Sequence, residues 1–468
     1  MRLLTTPIGI LFSIISFGFM ILLFQSILNK PKIGILGIIY VPILGTMIAE
    51  IIQNPVESYT NRTFGNITEI SQRSMVVREA TTLVLFFFCF LIIFFRILQS
   101  KNLFVFERNS FVLFFGILMF SFGIIFAEFF STHPEFNDAN FRFPIVGLAV
   151  LLALPINHKW ALKHILYSLL IIIYASLISI IIDPNWAMMP YGASVIPGLN
   201  FRLFGVTSHP NALGYYASFS SLIIVYQLRK PNKQKIFLII SYICTILVLI
   251  LAQSKTAWVS TAAAYSVIII YDAFKAKLKG KSGIRLILMM CVFVGITSII
   301  VLNSNKLIKN EMLMTFSGRT YVWSTAFEIF KKYPIFGYGP TLWSIESRQN
   351  IFDGRLWAGQ AHNQFLDTIS TNGIIGLLSI SIYLIIFFLK ANKLLRITGG
   401  ISLALFVNLL FRSLMESPIS PGLSDYSQLF IYIFFLSLFV HTSSSKLQNK
   451  NELALSGKKL LIKSPSLE

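Results

Sequence analysis

Apolar residues along this chain come in long runs separated by short polar or basic segments. A helix needs about 20 mostly apolar residues to cross a bilayer, because the hydrocarbon core is about 30 Å thick and each helical residue rises about 1.5 Å. The runs predict spans at 7–28, 33–53, 79–98, 109–130, 143–156, 164–183, 211–228, 236–252, 257–272, 284–302, 373–391, 399–415 and 427–442. The first run is too long and too lightly charged for a cleaved signal peptide, and no small-residue cleavage pattern follows it. It is expected to be a mature span. No repeat of fixed period is visible in the chain.

Composition agrees, with 55% hydrophobic and only 12% charged residues, against roughly a quarter charged in a soluble domain. The net charge of +20 is spread over short loops and reads as a topology signal, not as a nucleic-acid surface. Lys and Arg favour the cytoplasmic side, which puts 229–235, 275–285, 390–396 and the tail 446–463 there. The alternate segments 184–210, the turn at 253–256, the long stretch 303–372 and 416–426 then face outward. Counting back gives thirteen spans and an external Met1, which Arg2 opposes, so twelve or thirteen are expected.

The expected fold class is therefore all-α: a polytopic integral membrane protein of about 12–13 transmembrane helices with one large extracytoplasmic loop. It divides into N-terminal helices (1–190), helices with outer donor-binding segments (191–302), the loop (303–372), C-terminal helices (373–442) and a basic tail (443–468). Cys89, Cys244 and Cys291 fall in separate predicted spans and imply neither disulfides nor a metal site. The tripeptides at Asn61 and Asn66 match the glycosylation pattern, which chance often produces, and carry no weight.

The outward segments hold the candidate chemistry. In GLNFRLFGVTSHPNALG at 198–214, Arg202 sits on a face where cations are disfavoured, close to a helix start that Asn211 or Ser208 can cap. A guanidinium beside a helix N-terminus suits phosphate, through paired hydrogen bonds and the helix dipole. Lys255, in the turn AQSKTA, offers a further phosphate contact. In SGRTYVWSTAFEIFKKYPIFGYGP at 317–340, Ser317 can cap a helix that ends before Pro334. Trp323, Phe327 and Phe330 share one face of that helix at i, i+4, i+7, predicting an amphipathic helix on the membrane surface with Arg319 in its first turn. Bland readings stand beside these: arginines snorkelling to headgroups, aromatics that only pack.

His362, in AHNQFLDTISTNG, is the histidine best placed for catalysis. A helix N-terminus and two arginines nearby would keep its imidazole neutral, as a general base must be, and Asn363 or Asp367 could orient the ring. No D-x-D or E-x-E pair occurs, so no metal cradle for a diphosphate is evident. Arg412 and Glu416, spaced i, i+4, read as a simple salt bridge. A transporter would place ionisable groups midway along several spans, whereas most spans here contain none.

Together the motifs resemble the O-antigen ligase and polysaccharide polymerase superfamily of membrane glycosyltransferases. They are Arg202 with Gly205 and HPNALG (209–214), Ser254-Lys255-Thr256, SGRTYVW (317–323) with PIFGYG (334–339), and His362-Asn363 with Gly373. The resemblance implies a GT-C-like enzyme of the bacterial cytoplasmic membrane that uses no metal or other cofactor. It implies a glycan donor on a polyisoprenyl (undecaprenyl) diphosphate and, as acceptor hydroxyl, either a further glycan or lipid A core, in surface polysaccharide synthesis. Residue by residue, Arg202 and Arg319 look like the diphosphate-binding pair and His362 like the base, with Lys255, Asn363, Asn211 and Trp323 as substrate contacts. Ligase and polymerase share these motifs and stay undivided here.

Overall fold

The computed structural model describes residues 32–53, 69–99, 107–154, 156–190, 196, 198–231, 233–277, 319–353, 359–423, 426–439 and 441–442. The expected spans 7–28 and 284–302, the tripeptides at Asn61 and Asn66, Cys291, Ser317 and the basic tail lie outside them.

The described chain is almost entirely helical. In order come α1 (Lys32–Gln53), α2 (Glu69–Gln99), α3 (Arg108–Phe129), a 3-10 turn (Asp138–Phe141), α4 (Arg142–Leu152), α5 (His158–Ile182) and the single turn α6 (Pro184–Ala187). Two short strands, β1 (Met188–Pro190) and β2 (Phe201–Leu203), pair antiparallel with Met189 opposite Arg202. Then follow α7 (Pro210–Leu228), α8 (Lys235–Leu251), α9 (Lys255–Lys277), α10 (Arg319–Lys332), a 3-10 turn (Pro340–Trp343), α11 (Ile345–Asn350), α12 (Gln364–Thr398), α13 (Ile401–Ser413) and α14 (Ser427–Phe439).

Among the described residues, α1, α2, α3, α5, α9 and α12 are long and apolar enough to cross a membrane, and α8, α13 and α14 are shorter apolar helices. Their outer faces carry large apolar side chains in the open, such as Leu83, Phe90, Ile181 and Ile243. Water would penalise such a surface, whereas lipid accepts it. The chain is an all-α polytopic membrane protein.

Helix α7 is the hub, packed by α5, α8, α9 and α13. Its buried Gly214, Ala217, Ser218, Ser220 and Ser221 let backbones approach closely where a hydrophobic drive between helices is absent. Ser218 and Thr261 bond at 2.7 Å, and Asn408 donates to Ser218 at 2.9 Å, tying α7 to α9 and α13.

The expected span 373–391 begins earlier, at Gln364, and breaks at Gly373, whose φ of 61° is left-handed. The groups freed there are taken up by the segment Pro334–Gly339. Ile374 N donates to the Pro334 carbonyl at 2.8 Å, while Tyr338 N and Gly339 N donate to the Ser370 and Thr371 carbonyls, each at 2.9 Å. Irregular backbone at membrane depth survives only when protein satisfies it in this way. PIFGYG is thus a hook that fastens the end of α10 to the break in α12.

Helix α10 also differs from expectation. It buries Val322, Ala326 and Ile329, which share the i, i+4, i+7 spacing of the aromatic stripe beside them. The smaller stripe lets α10 pack against α12, while Phe327 stays exposed under the Lys331 ammonium.

A Cβ on Gly373 would lie 2.3 Å from the Ile335 carbonyl oxygen, in a conformation that costs a side chain roughly 1–3 kcal/mol. Gly373→Ala is therefore expected to lower the melting temperature in detergent clearly. Gly359→Ala, where a Cβ meets nothing within 4 Å, is expected to leave it within a degree or so, about the scale of neutral surface changes.

Candidate active site

The site lies at the end of the bundle opposite the basic loops, where α7, α9, α10 and α12 begin and α13 ends. Pro210 occupies the first turn of α7 and holds the preceding residue extended. That residue, His209 (φ −161°, ψ 140°), is the cap, its Nδ1 accepting the Asn211 N–H at 3.0 Å. The cap is neither Asn211 nor Ser208, because Pro210 sets the helix start between them. The Asn211 amide serves elsewhere: its Oδ1 accepts from Arg202 Nη2 and its Nδ2 donates to Glu416 Oε1, both at 2.7 Å.

Arg202 stands on β2. Its Nε donates to the Ala252 carbonyl at 3.1 Å. The adjoining Gln253, held at φ 47°, donates from its amide to the Leu199 carbonyl at 2.6 Å and also to that of Phe201. The α8–α9 turn thus clasps β2 and presents Lys255, half-buried, within electrostatic reach of Arg202. Gly205 follows at φ 57°, and Ser176 of α5 fills the space a Cβ would need there.

Arg319 opens α10 and donates to the Met415 carbonyl at 2.6 Å and to Glu416 Oε1 at 3.0 Å. His362 sits just before α12 at φ 51°, a conformation that needs support from its surroundings. Asn363 supplies some, capping Phe365 N and Leu366 N at 3.0 and 3.1 Å and donating to the Leu414 carbonyl at 3.1 Å. Asp367 accepts the Ala361 N–H, and Trp323 Nε1 donates to the Ala361 carbonyl, both at 2.9 Å. The ring itself is oriented by neither Asn363 nor Asp367: His362 Nδ1 lies 3.0 Å from Glu416 Oε2.

Glu416 is the residue that sequence reasoning assigned elsewhere. Arg412, its expected partner, lies over the Tyr215 ring at 3.6 Å and donates to Ser427 at 3.1 Å. The Glu416 carboxylate, 6% exposed, accepts instead from Asn211, Arg319 and His362, and from Gln360 at 3.3 Å. The available signal was a carboxylate on a short segment predicted to face outward.

Burial alone would raise the Glu416 carboxyl, but His362, then Arg319 and His209, outweigh it and hold the group well below the usual carboxylate range. His209 is pushed down to about 3, first by desolvation and then by Arg202. An ionised carboxylate can only accept, so Nδ1 of His362 carries the proton and the neutral ring's basic lone pair is on Nε2. One constellation thus holds two guanidinium groups and an imidazole whose Nδ1 faces a carboxylate.

Fold and site define a multi-pass membrane protein with a cation-rich centre at one end of its bundle. A family model described as O-antigen ligase matches residues 240–381, a segment that includes Lys255, Arg319, Trp323, His362 and Asn363 but not Arg202, Asn211 or Glu416. Over that segment the chain is similar to the O-antigen ligase family, which supports the likeness to the ligase and polymerase superfamily. No curated protein matches the chain.

Removing one partner from a buried ionic network costs about 3–5 kcal/mol, so Glu416→Ala should destabilise the purified protein by that order in thermal or denaturant unfolding. Acid should destabilise the wild type over two pH ranges. His209 is neutral when folded and protonated when unfolded, so stability falls as pH drops from about 6.5 towards 3. The depressed Glu416 carboxyl stabilises above its unfolded value of about 4.5, and that contribution is lost as pH falls further. In melting curves against pH, His209→Asn removes the upper limb and Glu416→Gln the lower one.

Proposed function

We propose that the chain is a metal-independent glycosyltransferase of the O-antigen ligase and polymerase type. It acts at the outer face of a bacterial cytoplasmic membrane in surface polysaccharide synthesis. The donor is a glycan on a polyisoprenyl diphosphate, and the acceptor hydroxyl belongs either to lipid A core (ligase) or to another glycan (polymerase). The observation that carries this reading is the bond between His362 Nδ1 and Glu416 at 3.0 Å, with Arg319 on the same carboxylate.

With Nδ1–H held by Glu416, Nε2 of His362 takes the proton of the acceptor hydroxyl as its oxygen attacks the anomeric carbon. The bond from that carbon to the diphosphate breaks, and its electron pair leaves on the phosphate oxygen. Direct displacement inverts the anomeric configuration. Arg202 and Arg319 neutralise the leaving diphosphate, a task that in a water-poor site is worth several kcal/mol. Lys255 adds a cation on the Arg202 side, and Asn211 links Arg202 to the Glu416 carboxylate that Arg319 also holds. Trp323, half-buried and bonded to the loop of His362, offers a ring face to the sugar, and Asn363 fixes the base at the start of α12. On this reading, 191–302 and 303–372 form the donor- and base-bearing parts of the chain.

The test is transfer by purified protein in proteoliposomes, supplied with a polyisoprenyl-diphosphate glycan and either lipid A core or excess donor. His362→Ala is expected to lose about 10²–10⁴-fold in rate. Arg202→Lys and Arg319→Lys lose activity through the missing planar fork, and a chelator changes nothing. Product on the core identifies a ligase and a ladder of longer glycans a polymerase. No product with either acceptor, or full activity in His362→Ala, overturns the proposal.

A further inference from the structure

A second imidazole belongs to the same constellation and has no part in the scheme above. His209 accepts the backbone N–H of Asn211, whose side chain joins Arg202 to Glu416, so the ring stands beside the charged groups. Its tautomer is fixed. Nδ1 accepts the backbone N–H of Asn211 at 3.0 Å, and a nitrogen that accepts carries no proton, so in the neutral ring the proton is on Nε2. Backbone geometry reinforces this: Pro210 holds residue 209 extended, and capping α7 requires an acceptor at that place.

The ring is also kept uncharged. Two arginines and Lys255 already supply the positive charge of the site, and desolvation together with Arg202 opposes a further cation there. His209 is therefore unsuited to be the base, whose lone pair must be open, and unsuited to be an acid that delivers a proton. What it offers is a directional N–H of constant protonation state beside Arg202. Donors of that kind stabilise charge as it forms, at no cost in reorganisation. Unlike a further cation, a neutral donor does not hold the departing diphosphate tightly after transfer.

We propose that His209 is a further catalytic residue: its Nε2–H donates a hydrogen bond to the diphosphate, at the phosphate oxygen on which negative charge collects as the glycosyl bond breaks. This rests on the reading of the site as a transferase that uses a lipid diphosphate donor.

Two substitutions separate capping from catalysis. The Oδ1 of Asn reaches the position of imidazole Nδ1, and Asn is among the preferred cap residues, so His209→Asn keeps the cap and lacks the far N–H. The longer Gln places an amide N–H near the position of Nε2 and gives up the cap. The proposal predicts that His209→Asn melts like wild type at neutral pH yet transfers about 10²-fold more slowly. His209→Gln melts lower and retains more activity than His209→Asn. In both variants the pH dependence of the transfer rate keeps its wild-type shape, because the base is unchanged. The reverse order, with Asn active and Gln inactive, reduces His209 to a helix cap and overturns the proposal.

A second readout does not depend on transfer: binding of a short polyprenyl diphosphate without glycan, measured by calorimetry. It should weaken in His209→Asn, and equal binding in wild type and His209→Asn also overturns the proposal. Wild type that binds this probe in a His209-dependent way but transfers no glycan to either acceptor refutes the transferase reading while leaving His209 as a diphosphate contact.

Discussion

A carboxylate at the rim of a membrane bundle has to be compensated, and the compensation of Glu416 organises this end of the molecule. Its four side-chain donors come from three places far apart in the chain: Asn211 on α7, Arg319 on α10, and Gln360 and His362 in the loop before α12. The carboxylate itself sits on the turn after α13, whose Met415 and Leu414 carbonyls accept from Arg319 and Asn363. Leaving any of these donors without the carboxylate exposes a buried polar group, so the network defines one arrangement of four elements. Chemistry follows from the same contacts, because an ionised acceptor on Nδ1 makes Nε2 of His362 the basic nitrogen.

Two further devices keep that arrangement in place. The clasp of the α8–α9 turn on β2 fixes Arg202 relative to α7. The hook of 334–339 on the break in α12 fixes the helix that carries Arg319 relative to the loop that carries His362. The glycines of that hook and of the break serve backbone pairing at close range.

Long apolar runs made the helices legible, since span length and the lack of charge are local properties of sequence. Helix starts at His158 and Gln364 were less so, because the caps at Asn157 and Asn363 lie in polar stretches that hydropathy reads as loop. Arg202, Arg319 and His362 were noticeable as polar groups on segments predicted to face outward. Glu416 was read through its nearest sequence neighbour of opposite charge, four residues away. Tertiary contacts made the local pair irrelevant: Arg412 is engaged inside the bundle by Tyr215 and Ser427. For α10, two adjacent stripes have the same helical spacing, and only the packing against α12 decides which is buried.

The account turns on Glu416 acting through His362. The most direct measurement is a double-mutant cycle on the transfer rate with Glu416→Gln, His362→Gln and the two combined, at one pH. If the carboxylate serves to orient and polarise the imidazole, the combined variant is no slower than His362→Gln alone, within the about 0.3–0.5 kcal/mol by which independent effects scatter. Multiplying losses, with the double variant slower than wild type by the product of the two single losses, would show that the two residues act separately and would contradict it.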